Sequence, residues 1–310
     1  MLMRRAIVGL AVLLLACKGD AQQPRSEPTA PEAPPIPLPA PLPATDLPAP
    51  LLWMADGPNG PSYLLGTMHL GVDVRRDVHA VVFERLGSSK TFVMETDVSE
   101  VDPVEMSRLA ELPKGTTLDG ELTEDQWTEL TEILPSLPPS TMKRFRAWFV
   151  LVAITQSLLP STLPMDTELQ STARSDGLKL EYLEDWRYQV DMLDDVIGAA
   201  DLIDLVDNFE ETKQELLDLA QGYKAGDAAV VARIMYDPEK YQKNPKVLDL
   251  LIVKRNREWM PKIEAYLEGG NTFIAVGAGH LVGDRGVIAL LRERGYNVER
   301  VPVPPAQLLR

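Results

Sequence analysis

Two short segments near opposite ends of the chain carry the residues best suited to chemistry. Gly66-Thr67-Met68-His69-Leu70 follows the apolar run Tyr63-Leu64-Leu65, and Gly277-Ala278-Gly279-His280-Leu281 follows Phe273-Ile274-Ala275-Val276. Each reads as a β-prone run and then Gly-x-x-His-Leu. The chain has three histidines, and two of them stand here, 211 positions apart. A glycine at a strand end permits a sharp turn, and open α/β sheets bind ligands at the carboxyl ends of their strands. The two imidazoles are therefore expected to meet at one sheet edge. A third run, Thr91-Phe92-Val93-Met94, ends in Glu95, with Asp97 two positions on. If these strands are adjacent and parallel, their ends lie about 5 Å apart per step, and His69, Glu95 and His280 can converge. Such a set suits a divalent first-row ion with open positions, which would lower the pKa of a bound water and polarise a carbonyl. Asp97 is then a second ligand or an orienting group. A lone histidine after a strand is more often a hydrogen-bonded structural residue, and it is the pairing that lifts these two above that reading. His79 falls inside a predicted helix and is assigned to the surface or its boundary.

Several other chemistries lack their residues. There is no cysteine cluster and no His-x-x-x-His helix for structural zinc, and no Gly-x-Ser-x-Gly elbow. Gly-Ala-Gly-His lacks the third glycine of a dinucleotide fingerprint. The formal net charge of −15 argues against nucleic acid and against anionic headgroups as partners.

The elements that must position the site alternate at both ends of the chain. A strand over 51–55, the turn Asp56-Gly57-Pro58-Asn59-Gly60-Pro61 and a strand over 62–65 predict a hairpin. A helix over 74–86 and a strand over 91–94 follow. The middle is helical: a capped helix beginning at Thr123-Glu124-Asp125-Gln126, an apolar helix over 146–159, and another over 166–175. A strand over 179–183 ends at Glu184. Helices over 189–222, 225–235 and 246–267 come next, with Pro261 as a kink or break. A strand over 271–276, a helix over 286–295 and a strand over 298–303 complete the chain. The fold class expected is α/β, with a central mixed, partly parallel sheet built from both chain ends, flanked by helices, and with a large helical insertion in the middle.

Ahead of this domain, assigned to 51–310, stand two segments of other character. Residues 1–16 carry Arg4 and Arg5 in their first five positions and continue as 11 apolar residues, 6–16, too short to anchor in a bilayer. The segment ends in Leu14-Leu15-Ala16-Cys17, which resembles a bacterial lipoprotein signal. That implies cleavage before Cys17, lipid attachment to it, and a place in the cell envelope; Lys18 fits the outer membrane. Cys17 is the single cysteine, so no intrachain disulfide is possible. Residues 17–50 hold the lipidated Cys and a Pro-rich linker, with 11 of the chain's 26 prolines between 20 and 50, a spacer without a core.

The combination of motifs resembles the TraB/PrgY/GumN family, which includes the Tiki proteins. Trp53, the two Gly-x-x-His segments and Val93-Met94-Glu95-Thr96-Asp97 carry the resemblance. Leu112-Pro113-Lys114-Gly115, Leu183-Glu184 with Gln189, and Arg255-Asn256 with Trp259 agree with it. The resemblance implies a fold related to erythromycin esterase and ChaN-like proteins. It also implies a metal-dependent peptidase favouring Mn2+ or Co2+, with Zn2+ or Fe as further options, acting on a peptide or small-molecule substrate. His69, Glu95 and His280 would hold the metal. Glu95 or Glu184 would transfer protons, Arg255 would face an anion or oxyanion, and Asn256 would orient a ligand. The chain departs from the family pattern at Arg146-Ala147-Trp148 and Pro164-Met165-Asp166, which bears on specificity. The rival readings are a lipoprotein that binds haem or iron or sequesters a peptide without catalysis, and an interaction protein whose histidines only support the sheet.

Overall fold

The computed structural model describes residues 47–241 and 244–303; the leader, Cys17 and most of the Pro-rich linker lie outside the described residues. The strands are β1 (Leu52–Ala55), β2 (Ser62–Thr67), β3 (Thr91–Met94), β4 (Lys179–Tyr182), β5 (Thr272–Gly277) and β6 (Val298–Arg300). They form one mixed sheet in the order β4-β3-β5-β2-β1-β6. The pair β1–β2 is the predicted hairpin, in register Leu52↔Leu65 to Ala55↔Ser62. The four strands β4, β3, β5 and β2 run parallel, so their carboxyl ends lie on one edge. Every residue of β2 and β5 is buried, which explains their continuous apolar runs: a central parallel strand has both faces covered.

The two Gly-x-x-His segments are direct neighbours. Strand β2 pairs with β5 from Tyr63↔Phe273 to Thr67↔Gly277, so each histidine leaves the sheet a few residues past the same rung. Gly66 sits within β2, and its role is close approach: a Cβ there would stand 3.0 Å from Ala278 Cα and 3.1 Å from Ala278 Cβ. Tyr223, from the helical insertion, donates its hydroxyl to the Gly66 carbonyl at 2.8 Å. Gly66→Ala is expected to cost about 1–3 kcal/mol through overpacking. Gly120→Ala, whose added Cβ would meet only Thr117 Oγ1 at 3.7 Å, serves as the control. Equal urea midpoints for the two variants would contradict this contact.

Several expected helices are divided. The segment over 74–86 is two helices, Val74–Asp77 and Val81–Gly87. His79 lies between them, only 6% exposed, and its Nδ1 accepts the Val81 N–H at 3.1 Å. It is thus a buried turn residue and not a surface one, because its ring takes the amide that opens the second helix. The segment over 189–222 is three helices, Trp186–Val196, Ala199–Asp207 and Phe209–Lys224, broken where Gly198 is extended and Asn208 leaves helical geometry. The helix expected over 246–267 does continue through Pro261. It runs Pro245–Leu248, then a π-helical stretch Asp249–Lys254, then Arg255–Gly269. No described helix is long and apolar enough to cross a membrane.

Candidate active site

Four of the expected residues, His69, Glu95, Glu184 and His280, stand just past the carboxyl ends of β2, β3, β4 and β5. Arg255 and Asn256 come to the same edge from the long C-terminal helix. Consecutive helical residues normally diverge, yet Arg255 and Asn256 are both fully buried. They follow directly on the π-helical stretch, a feature frequent at functional sites.

His69 is 6% exposed and bonds through Nδ1 to Asp166 Oδ2. Asp166 Oδ1 accepts the Thr67 hydroxyl at 3.1 Å. Asp166 lies in the first turn of the helix Met165–Ser175, where the helix dipole favours a carboxylate. A carboxylate at Nδ1 places the ring proton there and directs the chemistry of His69 to Nε2. Asp166 is the residue that sequence reasoning missed: it was noted only within a departure bearing on specificity.

The other histidine belongs to a denser network. His280 Nδ1 donates to Asn256 Oδ1 at 2.7 Å, and Asn256 Nδ2 donates to the Arg285 carbonyl at 3.0 Å, which fixes the orientation of the amide. His280 Nε2 accepts from Arg255 Nη1 at 3.0 Å. The same guanidinium donates through Nη2 to Glu95 Oε2 at 2.5 Å and Glu184 Oε1 at 2.6 Å, through Nε to Glu184 Oε1 at 3.0 Å, and through Nη1 to the Leu251 carbonyl at 2.9 Å. Gly277 N–H donates to Glu95 Oε1 at 2.7 Å, and Gln189 bridges Glu95 and Glu184. Trp259 Nε1 donates to Glu184 Oε2 at 2.8 Å, while its ring lies 4.5 Å from the His280 ring and 4.6 Å from the Arg255 guanidinium carbon. Gln189 and Trp259 entered the sequence pattern without a role; here they saturate the buried carboxylates, as buried charge requires.

These surroundings set the charge states. Burial, then the charges of Arg255 and His69, hold the His280 pKa well below the usual histidine value. Burial works to lower the Arg255 pKa, but the charges of Glu95 and Glu184 outweigh it and raise it. His280 is thus a neutral acceptor. A histidine whose folded pKa is depressed takes up a proton more readily when unfolded, so its stability contribution is complete above about pH 6.5 and falls as pH drops below it. The groups facing it are Arg255, Glu95, His69, Asn256 and the Trp259 ring. Between pH 7.5 and 5.5, wild type is expected to lose about 1.4 kcal/mol more unfolding free energy than His280→Gln; identical pH slopes in urea unfolding would sink the assignment.

Asp97 does not join this set. Its Oδ1 accepts from Ser99 N–H, the Ser99 hydroxyl and Gln170 Nε2, the last at 2.7 Å. Burial opposes its ionisation, but these bonds and Tyr182 together lower its pKa. It therefore neither touches the histidines nor orients them.

The expected metal ligands do not fit an ion in this arrangement. Both oxygens of Glu95 are engaged by chain donors, and the Arg255 cation contacts His280 at the nitrogen an ion would need. Among the described residues, no group of three or more His, Cys, Asp or Glu side chains is disposed to hold a metal.

An open groove of about 880 Å³ is lined by Arg233, Tyr236, Gly283 and Arg285 among others, and none of the six residues above lines it. The Tyr236 hydroxyl donates to the Gly279 carbonyl at 2.9 Å.

The TraB/PrgY/gumN family profile matches residues 51–300, spanning all six strands. The chain belongs to the TraB/PrgY/gumN family. A curated relative, an uncharacterized protein named YbaP from Shigella flexneri, is 24% identical over 247 residues, covering 76% of this chain and 89% of that protein. No solved structure matches.

Proposed function

We propose that this TraB/PrgY/gumN protein is a hydrolase of peptide bonds, in which His69 acts as general base on a water molecule. The observation that carries the reading is the buried Asp166–His69 bond at Nδ1, the arrangement that orients an imidazole for proton transfer at Nε2. His280, held neutral, supports the site as an acceptor and does not take the proton. The leader and Cys17 would tether the enzyme by lipid to the envelope.

The test is incubation of the purified full chain with a peptide library, read by mass spectrometry, with and without a chelator. Cleavage that persists under the chelator and disappears in His69→Ala is the expected result. Cleavage that depends on added Mn2+ or Co2+, or that survives His69→Ala, would contradict it.

A further inference from the structure

We infer that Arg255 is the resident cation of this site and keeps a latent divalent-metal site closed. Glu95, Glu184 and His280 are three side chains of the kinds that bind first-row ions, and one guanidinium touches a donor atom on each of them, at 2.5, 2.6 and 3.0 Å. Arg255 is 0% exposed, so water does not screen its charge. Its five N–H groups are all spent within the chain: one on Glu184 through Nε, two on Glu95 and Glu184 through Nη2, and two on His280 and the Leu251 carbonyl through Nη1. A guanidinium has no sixth donor. Arg255 therefore has nothing left for a substrate oxyanion, and its role is that of a counter-charge.

The neighbours hold it in that role. The Trp259 ring covers both the guanidinium and His280, and its Nε1 fixes Glu184 from the other side. Two carboxylates and one guanidinium leave a formal charge of −1; without the arginine the same pocket carries −2, which a divalent ion would neutralise. Asn256 has already turned His280 so that Nε2 faces this point. Removing the guanidinium would thus expose two carboxylates and an oriented imidazole nitrogen to one position. The inference concerns what neutralises the carboxylates and holds whether or not the site hydrolyses anything.

The test is a Co2+ titration of the full chain, followed by its visible d–d absorption and by calorimetry, for wild type, Arg255→Met and Arg255→Met/Glu184→Gln. Wild type is expected to show no stoichiometric uptake. Arg255→Met is expected to take up one ion per chain, and the double variant to lose it. Uptake by wild type that is abolished in His280→Ala would overturn the inference. So would a cooperatively folded Arg255→Met that takes up no ion. Should Arg255→Met fail to fold even with Co2+ present, the wild-type titration decides alone: His280-dependent uptake overturns the inference, and its absence upholds it.

Discussion

Asp166→Asn is expected to lower turnover by a factor on the order of 10²–10⁴, close to the loss in His69→Ala, with little change in KM. General-base catalysis by a positioned side chain contributes about that much, and Asp166 reaches the base through its bond to His69 Nδ1. An amide in its place can present its NH2 to Nδ1 and so favour the tautomer with the proton on Nε2, the wrong nitrogen. The pair also shares one effect, so the double variant His69→Ala/Asp166→Asn should be no slower than His69→Ala. Steady-state rates on a peptide identified from the library provide the measurement. Multiplying losses in the double variant would show that Asp166 matters to the fold and not to the base.

Arg255→Met is expected to be the most destabilising single change at the site, by about 3–5 kcal/mol, because it leaves two buried carboxylates without their counter-charge. Glu95 and Glu184 have side chains only 6% and 7% exposed, so water cannot replace the lost bonds. Adding Glu184→Gln should recover part of the loss, since the double variant keeps one carboxylate in place of two. Urea unfolding of the three proteins at pH 7.5 reads this directly. A loss under about 1 kcal/mol in Arg255→Met would match a solvated surface pair and would contradict the buried network.

Much of this site was legible because strand ends are legible. The runs before His69, Glu95 and His280 are apolar and the run before Glu184 alternates charged and apolar residues, so each side chain could be assigned to a carboxyl end before any pairing was known. The sheet's construction from both chain ends followed from the same runs. Asp166 was not legible, because its partner lies 97 residues away and the contact depends on how the helical insertion packs over the sheet. The role of Arg255 was misjudged for a related reason. The family resemblance implies a cation that faces an oxyanion, whereas all five of its donors are consumed by partners from three other segments and its own helix. Asp97 fell to local chemistry: Ser99, two positions on, captures its carboxylate before it can turn toward the histidines. The helix breaks at His79, Gly198 and Asn208 were missed because a polar helical periodicity continues across them, while the side-chain and backbone bonds that interrupt it leave no periodic trace.

Both site imidazoles are anchored through Nδ1, and with three histidines in the chain long-range 1H–15N NMR of the untagged, histidine-labelled protein can read each ring. The predicted result at pH 7.5 is that both His69 and His280 carry the proton on Nδ1, with His280 still neutral at pH 5.5. A His69 ring protonated on Nε2 alone, or a His280 ring that titrates near pH 6.5, would contradict it.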